Sequence, residues 1–445
     1  MASFHLVSLG CAKNLVDSEV MLGILQANGW DLTDDPAVAD VLIVNTCGFI
    51  QPAVEEAVEV ILEMGQYKDD DPEKLLVVTG CLVQRYADAL ATDMREVDLF
   101  VGTEGVPDIA MLLQKLLDGK QTEKSYCPDR FLMNADLPRT LSTPFFRSSV
   151  KITEGCNNRC TYCMIPSIRG DLRSRDISDI IMELQHLESN GVKEISLIAQ
   201  DLTAYGNDLD DQSNLISLLS SILRETTFPW LRLMYLYPTG VTAELYQLME
   251  SEPRIVPYMD IPFQHVSDSI LKPMHRRYGY DDLCTFIERI RNAVPDIALR
   301  TTMMVGFPGE TENDIELMEK FLKEYRIDHV GVFSYTNEEG ARSEFFEGQI
   351  AEDIKRSRME RILELQAGIS KEILQKYIGQ TVPVLVEGLS RETDLLLEGR
   401  TVYQAPDIDG IVYINDGTAN PGDIVQVRIT EAQIYDLVGG IVQEG

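Results

Sequence analysis

Glu154-Gly-Cys-Asn-Asn-Arg-Cys-Thr-Tyr-Cys-Met164 places Cys156, Cys160 and Cys163 in a C-x3-C-x2-C run. Three thiolates on one short loop can hold three irons of a 4Fe-4S cluster and leave the fourth iron without a protein ligand. An iron with an open position can bind a substrate or cofactor, which a fully ligated electron-transfer cluster cannot do. A structural zinc site ordinarily takes four ligands and often pairs two C-x2-C knuckles. Here three cysteines cluster and no histidine lies near them. Three closely spaced thiols do not pair evenly into disulfides either. The spacing therefore points to iron–sulfur chemistry.

The surrounding sequence suggests the scaffold. Strand patterns recur at Ser149–Thr153, Glu194–Ala199, Leu231–Tyr237, Tyr258–Pro262, Ala298–Val305 and His329–Tyr335, with helical patterns between most of them. This is a βα repeat large enough for a barrel or partial barrel. The cysteine loop directly follows the first strand, and βα barrels carry their chemistry on loops at the carboxyl ends of strands. A long charged helix is predicted over Ala351–Tyr377.

Upstream, strands are predicted at Phe4–Leu9, Val41–Asn45 and Leu75–Thr79, and helices at Ser18–Asn28, Ala53–Gln66 and Tyr86–Thr92. Near-continuous apolar strands separated by helices imply a doubly wound parallel sheet. A cysteine falls just beyond each strand: Cys11, Cys47 and Cys81. In open parallel sheets ligands bind beyond the carboxyl ends of the strands. We read this second trio as ligands of a second 4Fe-4S cluster, again with one open iron. The alternative is three unrelated buried thiols, since cysteine often serves as a small hydrophobe. Cys127 and Cys284 read as structural.

Residues 118–144 are polar and contain Pro128, Pro138 and Pro144, which suits a linker. Residues 378–445 change character. Short strands at Thr381–Glu387, Leu395–Arg400, Ile411–Ile414 and Ile424–Thr430 alternate with turn signals, as in a small antiparallel β-barrel.

Charge restricts the partners. The 445 residues carry 39 Lys+Arg against 72 Asp+Glu, a net charge of −33. From Tyr377 onward eleven acids face three bases. Nucleic acid is gripped by basic surface, so direct nucleic-acid binding is not expected, whereas a basic protein partner is. Eight cysteines, no basic leader and no apolar run of membrane-spanning length point to a reducing cytoplasm and no membrane.

Both cysteine trios, in this three-part order, resemble the radical S-adenosylmethionine (SAM) methylthiotransferase family over essentially the whole chain. The resemblance implies a cluster domain over 1–117, a linker over 118–144, a radical SAM domain over 145–376 and a TRAM β-barrel over 377–445. It implies two 4Fe-4S clusters, with SAM as radical source and methyl donor, and a low-potential electron donor. Ile165–Arg175, Ala199–Gly206 and Phe333–Gly340 resemble the branch that modifies the β-carbon of an aspartate in the twelfth small-subunit ribosomal protein. In that last segment Glu338 and Glu339 stand where tRNA-modifying relatives usually place a basic residue. The rival readings are a tRNA adenosine methylthiotransferase and a non-catalytic iron–sulfur carrier. By the same resemblance, SAM contacts are sought at Gln200 and Asp201, in the stretch from Asp260 to His265, and at Gly306, Gly309 and Glu310. His265 itself reads as structural, Gly306 and Gly309 also suit a plain turn, and Tyr162 suits either the adenine of SAM or loop packing.

Overall fold

A computed structural model describes residues 2–121 and 123–442. The amino-terminal apolar runs form β1 (Ser3–Ser8), β3 (Val41–Thr46) and β4 (Leu75–Gly80). With β2 (Asp31–Leu32), β5 (Leu99–Val101) and β6 (Ser125–Tyr126) they make a parallel sheet ordered β2-β1-β3-β4-β5-β6. β6 arises from the predicted linker. Side chains alternate between faces. Val41 and Ile43 pack under α1 (Ala12–Ala27) and α4 (Ile109–Leu117), while Leu42 and Val44 pack under α2 (Gln51–Asp70) and α3 (Cys81–Asp93). Helices on both faces explain why β3 is buried along its whole length.

The central region builds a second parallel sheet from β7 (Arg147–Lys151), β10 (Glu194–Ile198), β11 (Trp230–Leu233), β12 (Ile255–Asp260), β13 (Ala298–Val305) and β14 (His329–Ser334). A small antiparallel pair, β8 (Thr153–Glu154) with β9 (Arg173–Ser174), brackets the cysteine loop. The six strands lie in chain order and β7 does not pair with β14, so the barrel is partial. Val150, Ile195, Leu197, Leu231, Leu233 and Leu299 face the surrounding helices. The alternate residues face the lumen.

The carboxy-terminal strands β15 (Thr381–Leu389), β16 (Leu397–Thr401), β17 (Val412–Asp416), β18 (Ile424–Ala432) and β19 (Leu437–Ile441) close into a barrel. β19 is a fifth strand beyond those read from sequence. It pairs parallel with β17, while the other pairings are antiparallel. This small barrel plugs the amino-terminal mouth of the partial barrel. Arg400 meets Glu194 at 2.6 Å, Arg147 meets Asp407 at 2.7 Å, and Tyr258 donates to Asp409 at 2.7 Å. Chemistry is thereby confined to the opposite mouth, where the strand carboxyl ends lie. Among the described residues no helix is long and apolar enough to cross a membrane.

Candidate active site

The amino-terminal trio is placed by register. β1, β3 and β4 are adjacent and parallel, with Ser8 opposite Asn45 and Thr46 opposite Gly80. Cys11, Cys47 and Cys81 therefore emerge on one edge. Cys11 caps α1 and Cys81 opens α3. Two glycines make the approach possible. A Cβ on Gly10 (φ +89°) would lie 2.7 Å from the Cys47 Cβ, and one on Gly80 (φ +99°) would lie 2.4 Å from the Asn45 Oδ1. Below the thiols a polar lattice holds the edge. Asn45 donates to Ser18 Oγ at 2.8 Å, Thr46 donates to the Thr79 carbonyl at 2.6 Å, and Asn14 donates to the Leu9 carbonyl at 2.7 Å.

The second trio sits on the loop after β8. Arg159 adopts φ +58°, turning the chain so that the Cys163 amide reaches the Cys160 carbonyl at 3.2 Å. A neighbouring segment supports it from outside. Thr161 donates to the Met274 carbonyl through its amide at 3.2 Å and to the Pro273 carbonyl through its hydroxyl at 2.8 Å. Arg276 points its guanidinium at the Cys160 Sγ, 3.5 Å away, and the Ile165 amide points at the Cys163 Sγ, 3.4 Å away.

A buried ionic network joins the two sites. Lys151 contacts Asp17 at 2.5 Å and Glu154 at 2.6 Å. Arg169 contacts Asp17 at 2.8 Å and Glu154 at 3.3 Å, and its other nitrogen donates to the Cys81 Sγ at 3.2 Å. Glu154 also accepts from Gln200 at 2.8 Å. Burial opposes ionisation of Glu154, but Lys151 and Arg169 override it and hold the carboxyl well below its usual range. Arg85 pairs with Glu338 at 2.9 Å across the same junction. Of the two acids at 338–339, one is thus committed to domain docking, and Glu339 stays exposed.

Burial also pushes up four of these six thiols: Cys81 to about 11, Cys156 to about 11, Cys47 above its ordinary value and Cys163 well above it. Each trio nonetheless has an N–H group aimed at one of its sulfurs, as cluster thiolates take. Among the described residues, no three His, Cys, Asp or Glu are grouped to hold a single metal ion. An all-thiolate donor set with cationic N–H partners fits an iron–sulfur cluster.

The other sequence-derived candidates separate by position. Gln200 and Asp201 follow β10 at the open mouth. Asp201 accepts from Asn158 of the cysteine loop at 2.7 Å and from the Thr203 amide at 3.0 Å. The Oε1 of Gln200 is buried without a partner, which leaves it available to a ligand. Tyr162 packs edge-on against Phe307, centroids 6.5 Å apart. Glu310 accepts from the Gly306 amide at 2.8 Å and from Arg358 at 2.7 Å, so it braces its own loop. Gly306 (φ +79°) lies against Lys355, whereas Gly309 opens onto free space. His265 is fully buried and accepts from the Ser267 amide at 2.9 Å, in keeping with a structural role. The reading from sequence missed Arg169 and Arg276. Arg169 and Arg276 lie 88 and 116 positions from the cysteines they touch, so no local signal marks them.

Comparison with known proteins agrees with this geometry. Residues 3–102 match the uncharacterized protein family UPF0004, residues 150–322 the Radical SAM superfamily, and residues 378–442 the TRAM domain. The superfamily match implies SAM and an iron–sulfur cluster as cofactors. Among solved structures, the radical SAM methyltransferase TsrM of Kitasatospora setae superimposes with a TM-score of 0.56 at 15% identity, over 74% of this chain and 72% of that one. The cobalamin-dependent radical enzyme OxsB gives a TM-score of 0.51 at 11% identity, over 82% of this chain and 56% of its own. Both establish likeness of fold. Sequence relatives are nearer. The ribosomal protein uS12 methylthiotransferase RimO of Desulfotalea psychrophila is 60% identical over 99% of both chains. The enzymes of the same name from Citrifermentans bemidjiense and Geobacter sulfurreducens are 46% and 44% identical, each over 98% of both chains. With cysteine trios on facing edges and full-length identity of this order, the chain belongs to the RimO family of radical SAM methylthiotransferases.

Proposed function

We propose that this chain methylthiolates the β-carbon of an aspartate in ribosomal protein uS12, using two 4Fe-4S clusters and SAM in the cytoplasm. The observation that carries the reading is the pair of cysteine trios brought to one domain junction and tied by Arg169, which touches both Cys81 and Glu154. When bound, the clusters and SAM supply homolytic C–H cleavage, sulfur and a methyl group, which side chains alone do not provide. Cys11, Cys47 and Cys81 would hold the sulfur-bearing cluster, and Cys156, Cys160 and Cys163 the SAM-binding one. Gln200 and Asp201, with Tyr162, Gly306 and Gly309, would line the SAM pocket. Glu310 would hold that loop in shape. We divide the chain at 117, 144 and 376 into cluster domain, linker, radical SAM domain and TRAM barrel.

Substrate choice is supported by charge. Glu387, Asp407 and Asp409 are engaged with Arg400, Arg147 and Arg300. Glu392, Asp394, Asp416, Asp423 and Glu431 remain exposed on the small barrel, against exposed Arg391 and Arg428. Such a surface attracts a basic ribosomal protein and repels phosphate. The test is anaerobic turnover of the reconstituted protein with SAM and a low-potential reductant, offering uS12 and tRNA separately. A methylthio-sized mass gain on the uS12 aspartate is expected. A gain on tRNA, or SAM cleavage with no gain on either, would overturn the assignment.

A further inference from the structure

Arg276 is a cation without a carboxylate. Its Nε donates to the Tyr278 hydroxyl at 2.6 Å, and one terminal nitrogen donates to the Pro262 carbonyl. The other terminal nitrogen points at the Cys160 Sγ, 3.5 Å away. The guanidinium carbon lies 4.4 Å from the centroid of the buried Tyr237 ring and 5.1 Å from that of the buried Tyr278 ring. Among the described residues no carboxylate oxygen comes within 4.0 Å of its nitrogens. Arg169, beside the other trio, is balanced by Asp17 and Glu154. A guanidinium is always charged in a protein, and Arg276 is half-buried. A charge drawn out of water needs an opposite charge beside it. Of the three groups that Arg276 contacts through hydrogen, the Cys160 sulfur is the one that becomes an anion when it ligates metal.

The contact is built into the fold. The stretch from Pro273 to Tyr278 runs along the cysteine loop and holds it at successive residues. Pro273 and Met274 accept from Thr161, and the His275 Nδ1 lies 3.1 Å from the Arg159 carbonyl. His275 itself adopts φ +61°, a left-handed backbone that residues other than glycine rarely take. The chain thus turns sharply just before Arg276 presents its guanidinium to Cys160. Tyr278, which fixes the Arg276 Nε, is fixed in turn by donating to the Phe263 carbonyl at 2.8 Å.

We infer that Arg276 is the charge partner of the cluster carried by Cys156, Cys160 and Cys163, and that it raises the potential at which this cluster accepts its electron. The inference rests on the cluster reading above. A cluster on three thiolates carries net negative charge, and reduction by one electron adds to it. Net charge and hydrogen bonds to the sulfurs set the potential of such a cluster. A cation beside one sulfur therefore stabilises the reduced form more than the oxidised form. In this step one electron passes from an external low-potential donor to the cluster, and no bond forms or breaks. Arg276 acts as a positioning residue for charge, through the thiolate it touches.

The test is an anaerobic redox titration of the reconstituted protein, followed by electron paramagnetic resonance. It uses the full chain and the same chain carrying Cys11→Ala, Cys47→Ala and Cys81→Ala, in which one cluster titrates alone. Arg276→Met should lower the midpoint potential by about 59 mV, a tenfold loss of preference for the reduced cluster. Arg276→Lys keeps the charge and should recover most of that shift. Iron content, and the affinity of the oxidised protein for SAM, should match the unmodified chain in both variants. Should Arg276→Met fail to load iron, Arg276→Gln, which is also neutral, carries the same prediction. An unmoved potential in the loaded neutral variant would overturn the inference. So would a loss of SAM affinity with the potential unchanged, which would give Arg276 to the cofactor. Failure of Cys156, Cys160 and Cys163 to take up iron in the otherwise unmodified chain would instead remove the cluster reading itself.

Discussion

Arg169 joins the two halves of the chemistry. Its guanidinium reaches Asp17, Glu154 and the Cys81 sulfur from a short helix-flanking position and is 4% exposed. A hydrogen bond to a cluster thiolate favours the more negative, reduced cluster and raises its potential. Arg169→Met should therefore lower the midpoint potential of the cluster we propose on Cys11, Cys47 and Cys81, and Arg169→Lys should lower it less. A redox titration followed by electron paramagnetic resonance reads this directly. An unmoved potential would leave Arg169 with a docking role alone. The proposed ligand sets could be read from the chain because the spacing of Cys156, Cys160 and Cys163 is local and because Cys11, Cys47 and Cys81 each follow an apolar strand. Arg169 could not be, since it acquires its place beside the thiols through a contact 88 positions away.

Among the elements, α3 is tightly constrained where it starts. It begins on Cys81 directly after Gly80, whose backbone sits at φ +99° with no room for a Cβ beside Asn45. Gly80→Ala would have to shift the strand end and the thiol with it. We expect a loss of about 1–3 kcal/mol, read by urea unfolding, together with reduced iron content after reconstitution. Iron content equal to that of the unmodified protein would show that the edge tolerates the shift. The strands were readable as apolar runs, but β2 and β6, two residues each, carry no periodicity to read. Helix α1 begins at Ala12 rather than near Ser18. Its first half buries Asn14, Asp17, Ser18 and Glu19. Polar residues in that pattern resemble a loop, and their partners explain the burial: Leu9 and Asn45 of the same domain for Asn14 and Ser18, Lys151 and Arg169 of the radical SAM region for Asp17, and Arg139 of the linker for Glu19.

At the scale of the whole molecule, Glu194 secures the small barrel to the partial barrel. It is 1% exposed and lies between Arg232 at 2.7 Å and Arg400 at 2.6 Å. Burial pushes its carboxyl up, and the two guanidinium groups override this and hold it at about 2. A carboxyl depressed in the folded state contributes stability that is fully present above its unfolded value of about 4.3 and fades as pH falls toward 2. Glu194→Gln leaves Arg232 buried without a carboxylate and Arg400 with Glu387 alone, and should cost about 3–5 kcal/mol near neutral pH. It should also flatten the loss of stability between pH 4.5 and 2. Urea unfolding across that range measures both, and an unchanged slope would assign the acid sensitivity to other carboxylates.

The sequence by itself determined the chemistry and the order of parts. Thiol spacing, strand periodicity and net charge are properties of neighbouring residues or of simple sums, and they remain visible without coordinates. Tertiary structure alone decided how the parts meet: which acids of the small barrel face solvent and which are paired inside, and which cations reach the thiols. Those outcomes depend on charges brought together from distant segments and withdrawn from water, where each one's energy is set by its partner rather than by its neighbours in the chain.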